Sequence, residues 1–244
     1  STPFHLEAVD ELLGLGVKRF KLASGDITHK QLIEAVAATG LPMILSTGAA
    51  TFEEHLQAMA WWEEAGRKPS DVALLACTLI YPCPPEHLHL GRFQELQHWH
   101  VTKGTRIGYS DHTREVETAV VVAEMGADLL EKHFALGDQP HVPDTAFALR
   151  PAQMAEYVRL AQLGEAMRGH AEDHEHCEDA ARIGARRSVC AARDLPEGHH
   201  VTAGDLVMLR PAGGLEPARA DELVGRFLFR SYREGEQIHP RELV

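Results

Sequence analysis

Apolar positions along the chain alternate between a helical period and short continuous runs. Leu6, Val9, Leu12 and Leu13 recur at helical spacing before Gly14 and Gly16, and Leu32, Ile33, Val36 and Ala37 do so before Gly40. Phe52, Leu56, Met59 and Ala60 form a third stripe, with Thr51 as N-cap and Glu54, three residues on, as its partner in a capping box. Further helices are predicted around Glu86 to Trp99, from Arg114 to Met125, and from Pro151, a good first-turn residue, through Met154, Tyr157, Val158, Ala161 and Leu163. Between these stripes lie five short apolar runs, each passing straight into polar residues: Phe20 to Asp26, Met43 to Gly48, Ala73 to Thr78, Ile107 to His112 and Leu129 to Phe134. Strand and helix alternate, which predicts a parallel sheet covered by helices. In a parallel α/β barrel the carboxyl ends of the strands share one face, so the polar residues after each run converge. That is the layout of an enzyme.

From Arg168 to Arg182 the pattern turns polar, and 170–182 reads as a linker between residues 1–169 and a small module at 183–244. The module has short β-like runs at Ser188 to Ala191, Val207 to Arg210 and Arg226 to Arg230. A spaced pattern recurs in it, Glu197-Gly198 with Val201 and Asp205-Leu206, then Glu234-Gly235 with Ile238 and Glu242-Leu243, which predicts two pseudo-symmetric halves. A closed eight-stranded barrel takes about 250 residues, but only five strands fit before the linker. Ser1-Thr2-Pro3 reads as the tail of an earlier strand, so the expectation is a fragment lacking three strands and roughly 100 preceding residues.

Composition narrows the function classes. The 244 residues are 44% hydrophobic and 25% charged, an ordinary globular balance. Lys+Arg 24 against Asp+Glu 36 gives a formal net charge of −12, which disfavours nucleic acid or an anionic membrane as partner. No apolar run approaches the roughly 20 residues that span a bilayer, and Ser1-Thr2-Pro3-Phe4 does not open like a signal peptide, so the expected location is cytoplasmic. Cys77, Cys83, Cys177 and Cys190 have no paired spacing and read as free thiols. His170, His174, His176 and Cys177 sit among acids in the predicted linker without a zinc spacing. Trp61, Trp62 and Trp99 read as helix packing, and His199-His200 as part of a turn.

The strand-end motifs, in order, resemble those of the sialic acid synthase family. They are the opening Ser1-Thr2-Pro3-Phe4, Lys21-x-x-Ser24-Gly25-Asp26, Ser46-Thr47-Gly48, Cys77-Thr78-x-x-Tyr81-Pro82, Gly108-Tyr109-Ser110-Asp111-His112-Thr113, Glu131-Lys132-His133-Phe134 and Pro143-Asp144. The tail is similar to that family's antifreeze-like (SAF) domain. The resemblance implies part of a TIM (β/α)8 barrel followed by a small, mostly β, SAF (β-clip) domain. It further implies an enzyme that condenses phosphoenolpyruvate with an N-acetylated hexosamine, N-acetylmannosamine or a relative, to a nonulosonic acid and phosphate.

Carried over by position, His112 and His133 match metal-binding histidines, with Mn2+ usual and Mg2+ or Co2+ accepted. Lys21, Ser24, Ser46 and Ser110 match residues that hold the phosphate and carboxylate of phosphoenolpyruvate, although any one such serine, taken alone, is more often a strand cap. Asp26 matches a carboxylate that activates the attacking water; its alternative is to cap a helix from Ile27. Tyr81 and Asp144 match sugar-contacting positions. Arg210 matches an arginine that the tail delivers into a partner's site, which implies a domain-crossed homodimer. Two positions depart from the family pattern: Leu79 replaces a phosphate-contacting asparagine, and Ala212-Gly213-Gly214 replaces Gly-Asn-Gly. A legionaminic, pseudaminic or spore-coat polysaccharide type synthase, or a non-catalytic homologue that binds a sugar acid, stays open beside the sialic acid reading.

Overall fold

The structure is a computed structural model and describes residues 1–137, 141–169 and 177–239. Contacts divide the chain into two compact units, residues 1–169 and 170–244.

The first unit is built on five parallel strands, β1 (Phe20–Leu22), β2 (Met43–Ser46), β3 (Val72–Cys77), β4 (Arg106–Asp111) and β5 (Leu130–Lys132). Their spatial order is their sequence order, β1-β2-β3-β4-β5. Crossover connections are right-handed, so a sheet that always steps to the same side carries all its helices on one face. The order is therefore that of a barrel wall and not of a doubly wound sheet. No pairing joins β1 to β5 among the described residues, and the sheet is an open half-barrel. Ser1 lies along the free edge of β1, where its carbonyl accepts from the Lys21 amide at 2.8 Å.

The helices are α1 (Leu6–Gly14), α2 (Lys30–Ala38), α3 (Phe52–Glu64), α4 (Gly91–His100), α5 (Thr118–Glu124) and α6 (Pro151–Arg168). The predicted capping box is present: Thr51 Oγ1 accepts from the Glu54 amide at 3.2 Å and Glu54 Oε2 accepts from the Thr51 amide at 2.7 Å. The predicted stripe of α2 lies in one core with the strands, around Phe20, Leu45, Trp62 and Leu74, whereas α3 buries Ala58, Met59 and Trp62 there and leaves Phe52, Leu56 and Ala60 of its predicted stripe only partly buried. Trp62 is buried and donates to the Lys68 carbonyl at 3.0 Å, and Trp99, half exposed, meets Phe52 edge-on between α4 and α3. The helix expected from Ile27 begins instead at Lys30, because Ser24–Asp26 first make a 3-10 turn. The segments expected around Glu86 and Arg114 likewise settle into helix only at Gly91 and Thr118.

Of the predicted linker, residues 170–176 lie outside the described residues, His170, His174 and His176 among them. Its last part is not extended: Asp179–Ala185 forms a short helix, α7, rich in alanine and held by the Asp179–Arg182 ion pair at 3.2 Å.

In the second unit, β6 (Ser188–Ala191) pairs antiparallel with β7 (Leu206–Leu209). The third predicted run forms no continuous strand among the described residues but makes a bridge, Phe227 to His200. The repeat is visible in the backbone. Leu195 and Tyr232 exchange two hydrogen bonds at 2.8 Å, Gly198 donates to Leu228 as Gly235 does to Ala191, and Val201 donates to Arg226 as Ile238 does to Val189. Each second pair repeats the first with the two halves exchanged, the signature of a pseudo-two-fold. Val201 and Ile238 are fully buried, and Gly198 and Gly235 supply the left-handed turns before them, φ +73° and +80°. His199 follows that turn, with Nε2 2.9 Å from buried Asp205. Cys77, Cys83 and Cys190 are buried free thiols. No helix among the described residues is long and apolar enough to cross a membrane.

Candidate active site

Two groups of predicted residues gather at the carboxyl ends of the strands. The first surrounds the turns after β1 and β2. Ser24 Oγ accepts from the Gly48 amide at 2.9 Å and lies 3.2 Å from Cys77 Sγ. A Cβ on Gly48 would stand 2.5 Å from that sulfur and 2.9 Å from the Ser24 oxygen, so the loop after β2 closes only with glycine there. Burial pushes the Cys77 thiol up and keeps it protonated. Ser46, at the end of β2, is buried with a hydroxyl that has no hydrogen-bond partner.

The second group runs as a chain of contacts across β1, β4 and β5. The Lys21 ammonium stands 3.6 Å from Glu131 Oε2, and Glu131 Oε1 accepts from Ser110 Oγ at 2.6 Å. Ser110 Oγ is 3.3 Å from His112 Nε2. His112 Nδ1 lies 2.8 Å from the Thr78 carbonyl, which can only accept, so Nδ1 carries the hydrogen. Ser110 has already donated its one hydrogen to Glu131, which leaves the His112 Nε2 lone pair without a donor. Burial lowers the pKa of His112, which keeps the ring neutral.

The ring of His133 is centred 5.5 Å from that of His112, and the Tyr81 ring lies 4.2 Å from His112 and 5.9 Å from His133. Phe147 closes over His133 at 4.9 Å, and Asp144 Oδ2 reaches to 3.7 Å from its Nδ1. Desolvation, with Cys77, Asp144 and Glu131 nearby, pushes the Tyr81 phenol up to about 12, so it stays a hydrogen-bond donor at neutral pH. A hollow of about 540 Å³ opens beside His133, Val142 and Asp144. A larger one, about 710 Å³, runs along β5 and α6 past Leu130, Tyr157 and Ala161, away from the histidines, and the chemistry points to the smaller.

The donor set fits a divalent ion. Two imidazoles stand side by side, one with its free nitrogen defined by the Thr78 carbonyl, as outer-sphere hydrogen bonds define metal-binding histidines. Among the described residues no cluster of three or more His, Cys, Asp or Glu is arranged for a metal, so remaining positions would fall to water or substrate.

Two predicted residues stand apart. Asp26 makes its nearest ionic contact with His29, at 3.9 Å, and Arg210 lies in the second unit just after β7. Conversely, Glu131 had no predicted role and links two of the predicted residues, Lys21 and Ser110. Strand alternation could have found it, since it shares a face with His133.

Comparison with known proteins gives the geometry its context. The NeuB family model matches residues 1–173 and the SAF domain model residues 186–244. The chain is 33% identical over 239 residues to the N,N'-diacetyllegionaminic acid synthase of Campylobacter jejuni, covering 98% of this chain and 71% of that protein. It is 30% identical over 233 residues to human N-acetylneuraminate-9-phosphate synthase, covering 95% of this chain and 64% of that protein. Among solved structures, one ascribed to spore coat polysaccharide biosynthesis protein E of Chromobacterium violaceum superposes with a TM-score of 0.80 at 28% identity, over 100% of this chain and 72% of that one. With the strand-end motifs, the half-barrel and the pseudo-symmetric tail all accounted for, the chain belongs to the NeuB family and carries an SAF domain behind its NeuB region.

Proposed function

We propose that the protein condenses phosphoenolpyruvate with an N-acetylated amino sugar to give a nonulosonic acid and phosphate. The observation that carries this reading is the convergence of Lys21, Ser110, Glu131, His112, Tyr81 and His133 at the ends of β1, β4 and β5 and one loop. His112 and His133 would hold a divalent cation, manganese first, with magnesium or cobalt as substitutes. When bound, it supplies Lewis-acid polarisation of the open-chain sugar's aldehyde oxygen.

The chain's own groups do the rest. The Lys21 ammonium and the hydroxyls of Ser24, Ser46 and Ser110 bind the phosphate and carboxylate of phosphoenolpyruvate, an anion that a net charge of −12 would otherwise repel. Tyr81 and Asp144 orient the sugar over the two histidines. The methylene carbon of phosphoenolpyruvate bonds to the aldehyde carbon, whose oxygen takes a proton and becomes a hydroxyl. Water adds to the cationic carbon left behind, and phosphate leaves with cleavage of the carbon–oxygen bond. Asp26 is the family-matched acceptor for the water's proton; Glu131 is the carboxylate in contact with Lys21 and Ser110. Catalysis is then mostly positioning and electrostatics. A homodimer in which Arg210 completes the partner's site, and a cytoplasmic location suited to the free thiols of Cys77, Cys83 and Cys190, belong to the same proposal.

The test is phosphate release from phosphoenolpyruvate by the intact protein with Mn2+, with and without N-acetylmannosamine. A 2,4-diacetamido hexose joins the panel because the Campylobacter relative is named for a product bearing two N-acetyl groups. Sugar-dependent release, lost on chelation and reduced by at least 10³-fold in His133→Ala, is expected. No release with any sugar, while Mn2+ binds in a His133-dependent way, would make the protein a sugar-acid-binding homologue, and Leu79→Asn would then be the first reversion to try.

A further inference from the structure

His112 and His133 each follow a buried charge, and the two charges are of opposite sign: Asp111, fully buried, and Lys132, whose side chain is 2% exposed. Alternation along β4 and β5 turns these two side chains away from the face that carries the histidines. Behind the sheet they meet. Lys132 Nζ lies 2.9 Å from Asp111 Oδ2 and donates to the Thr113 carbonyl at 2.7 Å, Thr113 Oγ1 at 2.9 Å and the Glu115 carbonyl at 3.0 Å. Asp111 Oδ1 accepts from the Thr113 amide at 2.9 Å. The Tyr157 ring of α6 covers the ammonium, 5.4 Å from its centre.

A buried ion pair is a poor device for stability alone. Two charges removed from water recover little more than their desolvation cost, and an apolar pair of similar volume often does as well. Such a pair specifies one geometry well, and its partners here indicate which one. Besides Asp111, every acceptor of Lys132 lies in Thr113–Glu115, the segment directly after His112. One ammonium therefore grips the chain on both sides of His112, while its own backbone leads directly into His133. A slip of β5 against β4 by one residue would turn His133 to the other face.

We propose that Lys132 and Asp111 form a positioning staple behind the site that fixes His112 and His133 against each other as a matched pair of ligands. Lys132 and Asp111 touch neither substrate nor metal. The inference rests on the metal reading of the two histidines, and its test separates the two.

The intact protein, labelled with 15N at histidine, is compared with Lys132→Met, Lys132→Arg and Thr113→Val. Ring nitrogen shifts report the tautomer of His112 without any metal, and Mn2+ titration reports affinity. The wild type is expected to hold His112 as a single Nδ1–H tautomer. A folded Lys132→Met should lose that uniqueness and bind Mn2+ about 10- to 100-fold more weakly, with partial rescue by Lys132→Arg. A folded Lys132→Met with unchanged His112 shifts overturns the staple. If Lys132→Met does not fold, Thr113→Val decides, since it removes one acceptor and keeps the ion pair: a several-fold loss of Mn2+ affinity or a mixed tautomer supports the proposal, and neither overturns it. If the wild type binds no Mn2+, the metal reading fails and the tautomer comparison still decides the staple.

Discussion

His100 has no exposed surface, and neither of its ring nitrogens has a hydrogen-bond partner. Its ring lies 5.1 Å from that of His55, itself 2% exposed with an unpartnered Nε2, between α4 and α3. Desolvation lowers the pKa of His55 and pushes His100 down to about 4; Glu53, Glu95 and Arg92 face the first, and Lys103 the second. The unfolded chain titrates near 6.5 and so binds the proton more readily than the folded one. Stability from this pair is therefore complete above pH 6.5 and falls as pH drops towards 4, by roughly 3 kcal/mol for His100 alone. Urea unfolding across that range should show the fall, and His100→Leu should flatten it; an unchanged acid limb in the variant would refute the assignment. Nothing in the sequence marks these two histidines apart from the fourteen others, because burial of a lone imidazole leaves no periodic trace. His112 and His133 were legible for the opposite reason, as each ends an apolar run whose carboxyl end must face a site. Asp111 and Lys132 sit in the same motifs but act on the hidden face, which a reading directed at the site passes over.

At the scale of elements, strands were the more legible: the run read at Arg106 to Ser110 is β4 (Arg106–Asp111), and that at Ser188 to Ala191 is β6. Helix starts were not, because a 3-10 turn at Ser24–Asp26 and another at Pro85–His87 occupy positions with acceptable helical residues, and tertiary contacts decide where the α pattern begins. One helix pair has a sequence mark that only packing explains. Gly164, buried in the middle of α6, abuts α5, and a Cβ there would run into the Val120 carbonyl and stand 3.0 Å from Ala123 Cβ. Alanine is the better helix former by about 1 kcal/mol, yet the obstacle is backbone and cannot turn aside. Gly164→Ala is expected to destabilise the first unit by about 1–2 kcal/mol in urea unfolding, with α6 forced away from Ala119 and Val120. An unchanged or raised midpoint would mean that the two helices are free to separate.

For the whole molecule, the sequence reading divided the chain into a barrel part and a pseudo-symmetric tail, and the fold has both. What it could not supply is which copy of the tail serves which site, because periodicity and motifs describe a chain and not an assembly. The proposed dimer places Arg210 of one chain at the strand ends of its partner, and the two arrangements differ in a countable way. In a mixed dimer of His133→Ala and Arg210→Ala chains, a crossed arrangement pairs both defects at one site and leaves the other intact, so about half the wild-type phosphate release should return. If each chain used its own Arg210, both sites would carry one defect and neither would recover. Co-expression with two affinity tags isolates the mixed dimer, and the two homodimeric parents set the background. Recovery near one half establishes the crossed site and with it the role of Arg210. Recovery no greater than the parents, in a particle that sediments as a dimer, eliminates the crossed arrangement. A particle that sediments as a monomer removes the dimer itself.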